Sequence, residues 1–136
     1  MTKNMNVLDW TRVVAEAALA RKARNVVVLE VGELTSFADA FVIATGTSDR
    51  HTRAVADAVV ECAKANGSVP LGVEGYQDAE WVLIDLNDVI VHVFQDEARS
   101  HYDLERLWAD APSTTYHDET DDGPSESSPA AERTAP

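Results

Sequence analysis

The apolar and polar positions along the chain predict an alternation of helices and strands. Near the N-terminus, Val14, Ala17 and Ala18 keep the three- and four-residue spacing of an amphipathic helix. Two apolar runs rich in β-branched residues follow at residues 26–31 and 40–45, and each ends at a glycine. Neither run alternates between apolar and polar residues, so we expect two strands that are covered on both faces.

A second helical pattern lies between Thr47 and Gly67, where apolar side chains recur with a period of about 3.6 residues. Ser48 is suited to cap the start of this helix, and Gly67 is suited to end it. We expect the next strand at residues 69–73, so that strand, helix and strand form a crossover unit. The apolar stripe of the helix consists of Val55, Val59 and Cys62.

Residues 81–94 hold two apolar stretches on either side of Asn87 and Asp88, which predicts a hairpin with a two-residue turn. The second turn position lacks the glycine that a type I′ turn prefers, but a two-residue turn still fixes the pairing of the strands. One face then carries the aliphatic pairs Leu86–Val89, Ile84–Val91 and Val82–Val93, and we expect that face in the core. The other face carries the pairs Asp85–Ile90, Leu83–His92 and Trp81–Phe94, a mixture that suits either a partly covered layer or an interface.

Two short helical turns are predicted after the hairpin, at residues 96–101 and 103–108. Asp103 is suited to cap the second turn. The apolar residues of that turn, which we expect to pack on the sheet, are Leu104, Leu107 and Trp108.

The composition changes at Pro112, because four of the five prolines lie in residues 112–136 together with many Ser, Thr, Asp and Glu residues. This segment has too little apolar surface to offset the entropy of ordering, which predicts a disordered acidic tail. Residues 1–111 then form one α/β domain, in which we expect a mixed, mostly five-stranded sheet flanked by helices.

The net charge of the chain is −13. Residues 1–111 hold 10 basic and 18 acidic side chains, a net charge of −8, and residues 112–136 contribute the remaining −5. An acidic surface repels nucleic-acid phosphates and anionic membranes, so we expect no direct DNA binding, little or no RNA contact and no membrane binding.

The predicted location is cytoplasmic. Cys62 is the single cysteine and cannot form an intramolecular disulfide. The longest uninterrupted apolar run, residues 40–44, is far shorter than the ~20 residues that span a bilayer. The polar first residues precede no signal-peptide core.

The sequence contains no complete catalytic or metal-binding pattern. Ser48 lies at a strand-to-helix turn, but Arg50 occupies the position of the second glycine of a nucleophile elbow. His51 has no ligand partner at the fourth position after it, and the glycines match no phosphate-binding loop. Asp85 and Asp88 flank a turn, where solvated carboxylates are the favoured interpretation. We therefore expect no metal, no cofactor and no enzymatic activity.

Four further blocks of the sequence are informative together: Ala44-Thr45-Gly46-Thr47-Ser48-Asp49-Arg50-His51, Val73-Glu74-Gly75-Tyr76, the stretch WVLIDLNDVIVHVF from Trp81 to Phe94, and Tyr102-Asp103-Leu104-Glu105-Arg106-Leu107-Trp108. In this order and spacing they resemble one known family, the ribosomal silencing factors, also called Iojap. The similarity covers roughly residues 7–110.

The resemblance implies a small domain related in fold to nucleotidyltransferases but without their catalysis. It also implies binding to the fourteenth protein of the large ribosomal subunit, which blocks joining of the small subunit and lowers translation when nutrients are scarce. By position, the family's tryptophan and the acidic residue after it fall on Trp81 and Asp85, and the glutamate of its Val-Glu-Gly block falls on Glu74. Leu83 and His92 are their predicted neighbours in this partner site, and Tyr76 is a candidate for its rim.

Several alternatives stay open at this point. Trp81 could pack on the helix at residues 104–108 instead of contacting a partner, and we assign Tyr102 and Trp108 to the core. The chain could instead be a nucleotide-handling enzyme in which Asp49, Asp85 or Asp88 holds Mg²⁺. The apolar hairpin face could also form a homodimer away from the ribosome.

Overall fold

The computed structural model describes residues 6–117, which form a six-stranded sheet with helices on both faces. The strands are β1 (Arg24–Glu30), β2 (Ala40–Gly46), β3 (Gly72–Glu74), β4 (Trp81–Asp85), β5 (Val89–Gln95) and β6 (Ser113–Tyr116). The helices are α1 (Val7–Ala20), α2 (Asp49–Ala65), α3 (Asp96–Tyr102) and α4 (Leu104–Leu107). The sheet order is β3-β4-β5-β2-β1-β6, and β2 pairs in parallel with β5 whereas the other neighbouring pairs are antiparallel. The predicted mixed α/β domain is confirmed.

Helices α1 and α2 cover one face of the sheet. Asn6 caps α1 by accepting the Asp9 amide at 2.8 Å, and Ser48 Oγ caps α2 by accepting the His51 amide at 3.0 Å. The predicted role of Ser48 is thus confirmed, and Gly67 follows the end of α2 with a φ of 82°. No helix among the described residues is long and apolar enough to cross a membrane.

Strands β1 and β2 are the centre of the sheet. All seven residues of β2 are buried, and β1 is buried from Val26 to Leu29. The prediction of strands covered on both faces is therefore confirmed, with β1 beginning two residues earlier and β2 ending one residue later than expected.

The hairpin of β4 and β5 has the predicted register. Trp81 pairs with Phe94, Leu83 with His92, and Asp85 with Ile90. In the turn, Asn87 has a φ of 75° whereas Asp88 is not among the residues with positive φ, a pattern that fits a type II′ turn better than type I′. The aliphatic face is core as predicted, since its members are at most 1% exposed: Val82, Ile84, Leu86, Val89, Val91 and Val93.

The strand predicted at residues 69–73 is displaced towards the C-terminus. Strand β3 holds Gly72–Glu74, whereas Val69 and Leu71 are 73% and 69% exposed and precede it. The prediction was wrong here because an apolar run does not reveal whether a neighbouring strand covers it. Strand β3 does complete a crossover that is parallel to β2, but β5 and β4 lie between the two strands.

The sheet has one more strand than predicted, because Ser113–Tyr116 form β6. This strand pairs with the outer edge of β1, from Val26–Tyr116 to Leu29–Ser113. The sequence assigned these residues to the acidic tail since their composition is polar, but an unpaired neighbouring strand supplies the hydrogen bonds that order them. The rest of the predicted tail, residues 118–136, lies outside the described residues.

The segment after β5 also departs from the prediction at two residues. Leu107 is 72% exposed and does not pack on the sheet, in contrast to Leu104 and Trp108, which are partly buried against its aromatic core. Asp103 precedes α4 in a left-handed conformation with a φ of 49°, and its side chain makes no capping hydrogen bond. The chain therefore turns sharply at Asp103 between α3 and α4. The start of α4 has no side-chain cap from this residue.

Candidate partner-binding surface

Five of the six site residues predicted from the sequence lie on one face of the sheet. Glu74 of β3 pairs with Leu83 of β4, and Leu83 pairs with His92 of β5, so the three side chains form a row across the strands. Trp81 and Asp85 lie two residues before and after Leu83, which places them on the same face. This face is opposite α1 and α2.

The depth of these side chains differs along the face. Glu74 is exposed, and Trp81, Leu83 and Asp85 are partly buried, as is Ile90. We call these five residues the hairpin surface. His92 is 5% exposed and Phe94 is fully buried, so both lie beneath the hairpin surface as its floor. His92 thus supports the predicted site from below.

Trp81 is packed among three other rings. Its indole stacks on Phe94 with ring centroids 5.0 Å apart, and Tyr102 at the end of α3 lies 4.6 Å away. The indole Nε1–H donates to Nδ1 of His92 at 3.0 Å. Trp81 therefore contacts α3 through Tyr102, and its partial exposure leaves part of the ring available to a partner.

The imidazole of His92 is held in its neutral form. Removal from water lowers the pKa of His92 from 6.5 to about 4, because the charged form would be buried among apolar groups. Since Nδ1 accepts the indole proton, the ring proton of the neutral form is on Nε2. Among the described residues, no group accepts a hydrogen bond from this buried Nε2.

Asp85 has a structural role in addition to any contact with a partner. Its Oδ1 accepts the backbone N–H of Asn87 at 2.9 Å, which closes the turn between β4 and β5. The carboxylate is partly buried at the edge of the hairpin surface. A substitution of Asp85 therefore changes the turn as well as the surface charge.

Gly75 determines how the loop after β3 approaches Trp81. Its φ is 80°, and a Cβ atom on this residue would lie 2.1 Å from the Trp81 carbonyl oxygen. No side chain fits at that distance, so the Glu74-Gly75 sequence requires glycine at its second position. The close approach fixes Glu74 and Trp81 relative to each other.

Tyr76 is separated from the other predicted site residues. It packs against the core cluster beneath α1 and α2, and its hydroxyl donates to Asp57 Oδ2 of α2 at 3.2 Å. This hydrogen bond is the main reason why the pKa of Tyr76 is raised. A rim contact by Tyr76 stays a prediction, and it would require a partner that reaches around the edge strand β3.

Two further residues belong to this region. Ile90 was placed on the mixed face by the hairpin pairing but was not named as a site residue. Tyr102 was assigned to the core, and that assignment was wrong, since its side chain is 50% exposed beside Trp81. The sequence contained a signal for this position of Tyr102. Phe94 is the strand partner of Trp81, and the helix begins two residues after Phe94, so the helix starts close to Trp81. Trp108, the other residue assigned to the core, is partly buried and lies edge-on to Phe41 at 5.3 Å.

Arg99 holds α3 in the position from which Tyr102 reaches Trp81. Its guanidinium donates to the Asn25 carbonyl at 2.6 Å and to Thr45 Oγ1 at 2.8 Å, and it forms a two-pronged pair with Glu105 at 3.0 and 2.9 Å. Only 11% of the Arg99 side chain is exposed. These bonds join α3 to β1, β2 and α4, which stabilises the covered end of the hairpin surface.

An acidic cleft of about 780 Å³ lies at the end of the sheet opposite the Asn87-Asp88 turn, where the parallel strands β2 and β5 end and Tyr102 forms part of the wall. Its lining includes Asp49, Asp78, Glu80, Asp96 and Glu97. The nucleotide-handling alternative required Asp49, Asp85 or Asp88 to hold Mg²⁺. Asp85 and Asp88 flank the hairpin turn, and the seven-residue strand β5 separates that turn from the cleft by about 20 Å at 3.3 Å per residue. The three carboxylates therefore do not converge on one ion.

The histidine and serine weighed for catalysis have structural roles. His51 Nδ1 accepts the Thr47 amide at 2.9 Å, and Nε2 is 2.7 Å from the Arg21 carbonyl, so both ring nitrogens are used. Ser48 caps α2, as described above. Within residues 6–117, no three His, Cys, Asp or Glu side chains are grouped so that they could hold a metal ion.

The sequence and the fold match a family of known proteins. A family profile described as "Ribosomal silencing factor during starvation" matches residues 4–136. The ribosomal silencing factor RsfS of Bacillus subtilis is 39% identical over 108 residues, which cover 79% of this chain and 92% of that protein. The mouse protein "Mitochondrial assembly of ribosomal large subunit protein 1" is 32% identical over 89 residues, which cover 63% of this chain and 39% of the mouse protein.

A solved structure gives the same result for the fold. The crystal structure of a Chromobacterium violaceum protein superposes with a TM-score of 0.76 at 35% identity, covering 77% of this chain and 88% of the other. The chain belongs to the ribosomal silencing factor family. The resemblance seen in the four sequence blocks is thereby confirmed, and with it a ribosome-associated silencing role.

Proposed function

We propose that this chain represses translation by binding the fourteenth protein of the large ribosomal subunit and blocking association with the small subunit. The observation that carries the proposal is the family match over residues 4–136, since the family is described by ribosome silencing during starvation. The name of the mouse relative also refers to the large ribosomal subunit. In this proposal the chain acts in the cytoplasm and catalyses no reaction.

The hairpin surface is the proposed contact. It combines one aromatic and two aliphatic side chains, Trp81, Leu83 and Ile90, with the carboxylates of Glu74 and Asp85. Partly covered aromatic side chains beside a few polar groups are typical of the residues that carry most of the binding energy in an interface. These five residues are therefore the ones we expect to touch the ribosomal protein.

Charge supports a protein partner over ribosomal RNA. The net charge of residues 1–111 is −8, and both charged members of the hairpin surface are acids. An acidic surface attracts a basic protein and repels the phosphate backbone of RNA. We therefore expect little or no direct RNA contact, and association with the subunit that weakens as salt is raised.

Sedimentation tests the proposal. Purified chain is added to a ribosome-containing extract at a magnesium concentration that supports subunit joining, and its position in a sucrose gradient is measured together with the monosome fraction. We expect the chain to migrate with free large subunits and the monosome fraction to fall. A chain that stays at the top of the gradient, with an unchanged monosome fraction, contradicts the proposal.

A pair of variants locates the contact. Trp81→Glu places a charge on the hairpin surface, and Leu8→Glu places the same charge on α1, where Leu8 is 52% exposed on the opposite side of the sheet. Loss of a central interface aromatic typically costs about 2 kcal/mol or more, which is roughly thirtyfold in affinity. We expect Trp81→Glu to abolish comigration and Leu8→Glu to preserve it. Equal behaviour of the two variants would move the contact away from the hairpin surface.

The homodimer stays a prediction that the same preparation measures. Sedimentation of the chain alone, with and without the Trp81→Glu substitution, reports its oligomeric state. If the hairpin surface pairs with a second copy away from the ribosome, the wild-type chain sediments as a dimer and Trp81→Glu as a monomer.

A further inference from the structure

A polar ring, the imidazole of His92, lies in the aromatic floor of the hairpin surface. His92 lies between Phe41, whose ring centroid is 5.0 Å away, and Phe94, whose ring centroid is 6.1 Å away. It is 5% exposed, and no described group accepts a hydrogen bond from its buried Nε2. A buried polar atom without a partner is unfavourable, so the imidazole destabilises this floor compared with a phenylalanine.

The bond that the imidazole does make identifies what it contributes. Nδ1 accepts the Nε1–H of Trp81 at 3.0 Å, and phenylalanine has no atom that could do so. His51 is a useful contrast, because both of its nitrogens are used to join α1, β2 and α2. His92, in contrast, uses one ring nitrogen, and the single hydrogen-bond partner of its ring among the described residues is Trp81, the aromatic residue of the hairpin surface.

The hydrogen bond adds a constraint that ring contacts of Trp81 do not supply. Phe94 and Tyr102 contact the indole with centroid distances of 5.0 and 4.6 Å, and such contacts constrain the plane of a ring. The torsion between an sp³ carbon and a ring is broad and roughly two-fold, so the torsion by itself allows either edge of the indole to point inwards. A hydrogen bond from Nε1–H to a fixed acceptor selects one of the two orientations.

We infer that His92 is a positioning residue for the partner contact. It accepts the indole proton of Trp81, so that the N–H edge of the ring faces the sheet and the hydrocarbon edge faces the partner. The inference rests on the proposed function and adds the kind of partner surface that fits: an apolar or aliphatic pocket for Trp81, with no acceptor for its N–H, beside basic groups for Glu74 and Asp85.

Two substitutions of His92 separate positioning from a merely structural role. His92→Phe keeps the ring and removes the acceptor, whereas His92→Asn retains an acceptor oxygen near the position of Nδ1. Affinity for purified large subunits is measured for both variants, together with the midpoint of urea unfolding. Because His92→Phe keeps Trp81 and releases only its orientation, the effect should be smaller than loss of the aromatic itself: we expect roughly tenfold weaker binding for His92→Phe and partial recovery for His92→Asn. The unfolding midpoint of His92→Phe should stay unchanged or rise, since the unpaired Nε2 is removed.

A direct measurement on the wild-type chain makes the test independent of how the variants fold. Nitrogen-15 NMR reports which nitrogen of His92 carries the proton, and the chain has three tryptophans whose indole N–H signals can be assigned by substitution. We expect the proton on Nε2 and slow exchange for the Trp81 indole, and faster exchange for that indole in His92→Phe. A proton on Nδ1 in the wild type overturns the inference whatever the variants do.

The Trp81→Glu variant distinguishes the two ways in which the account can fail. If Trp81→Glu abolishes binding while His92→Phe binds as tightly as the wild type, the positioning role is wrong and the proposed surface stands. If Trp81→Glu also binds as tightly as the wild type, the proposed surface itself is wrong. A variant His92→Phe that loses stability and affinity in parallel indicates a structural role and overturns the inference.

Discussion

The two faces of the β4–β5 hairpin differ in what covers them, although both are built from alternate residues of the same strands. Val82 and Ile84 are fully buried beneath α1 and α2, whereas Trp81, Leu83 and Asp85 between and beside them are only partly buried. On the second face α3 covers the Trp81 end and leaves the rest of the strand accessible. The strand sequence therefore sets the register, and the covering helices decide which face is left for a partner.

The largest expected effect comes from truncating a side chain on the covered face. Ile84→Ala removes a fully buried side chain and leaves a cavity, so we expect a loss of about 4 kcal/mol in the free energy of unfolding. Leu83→Ala, one residue earlier on the other face, should cost about 1 kcal/mol, since its side chain is already partly exposed. Urea unfolding of both variants checks the difference. Similar losses for the two variants would contradict the contrast between the faces.

The next effect is the pH dependence of the free energy of unfolding that His92, on the second face, causes. Above pH 6.5 the imidazole is neutral in both the folded and the unfolded chain, and its contribution to stability does not change. As the pH falls from 6.5 towards the folded pKa of about 4, the unfolded chain binds a proton that the folded chain resists, so stability is lost. The total loss is roughly 3 kcal/mol at pH 4, at 1.36 kcal/mol for each unit of pKa difference.

The His92→Phe variant isolates this contribution from that of other titrating groups. The difference in unfolding free energy between the wild type and His92→Phe is measured from pH 7.5 to pH 4. We expect the wild type to lose stability relative to the variant below pH 6.5. A constant difference over this range would show that His92 is not held neutral, and the two faces would then be alike in their response to pH.

A smaller effect is expected from the loop that positions Trp81. Gly75→Ala requires a left-handed conformation at a φ of 80° and places Cβ against the Trp81 carbonyl, so we expect a loss of about 2 kcal/mol or more. Gly67→Ala is the matched control, because Gly67 has a φ of 82° and nothing lies within 4 Å of its Cβ position. It should cost about 1 kcal/mol. Equal losses would mean that the close approach to Trp81 contributes nothing.

Much of the covered face could be predicted from the sequence, because the turn length and the alternation of side chains depend only on neighbouring residues. A two-residue turn at Asn87-Asp88 fixes the pairing of β4 with β5, and alternation then assigns every side chain to a face. The edge strands were harder, since their existence depends on neighbours. Ser113–Tyr116 have a polar composition and become β6 through the free edge of β1, and Val69 looks like part of a strand although it is 73% exposed.

The residues that lie on the second face could be predicted from the sequence, but how deeply each of them is buried could not. The pairing placed Trp81, Leu83 and His92 together, and the family resemblance added Glu74. The burial of His92 and its bond to Trp81 depend on how the rings of Phe41, Trp81 and Phe94 pack around it, which no local pattern shows. The same packing exposes half of Tyr102, which the sequence assigned to the core.

Site-specific crosslinking tests whether the hairpin surface contacts the fourteenth protein of the large subunit. A photoreactive phenylalanine analogue is placed at Leu83 on the hairpin surface and, in a second variant, at Leu8 on α1. Each variant is irradiated with purified large subunits, and the crosslinked partner is identified by mass spectrometry. The account predicts a crosslink from position 83 to the fourteenth protein of the large subunit and none from position 8. A crosslink from position 8 alone, or from position 83 to ribosomal RNA or another protein, would contradict it.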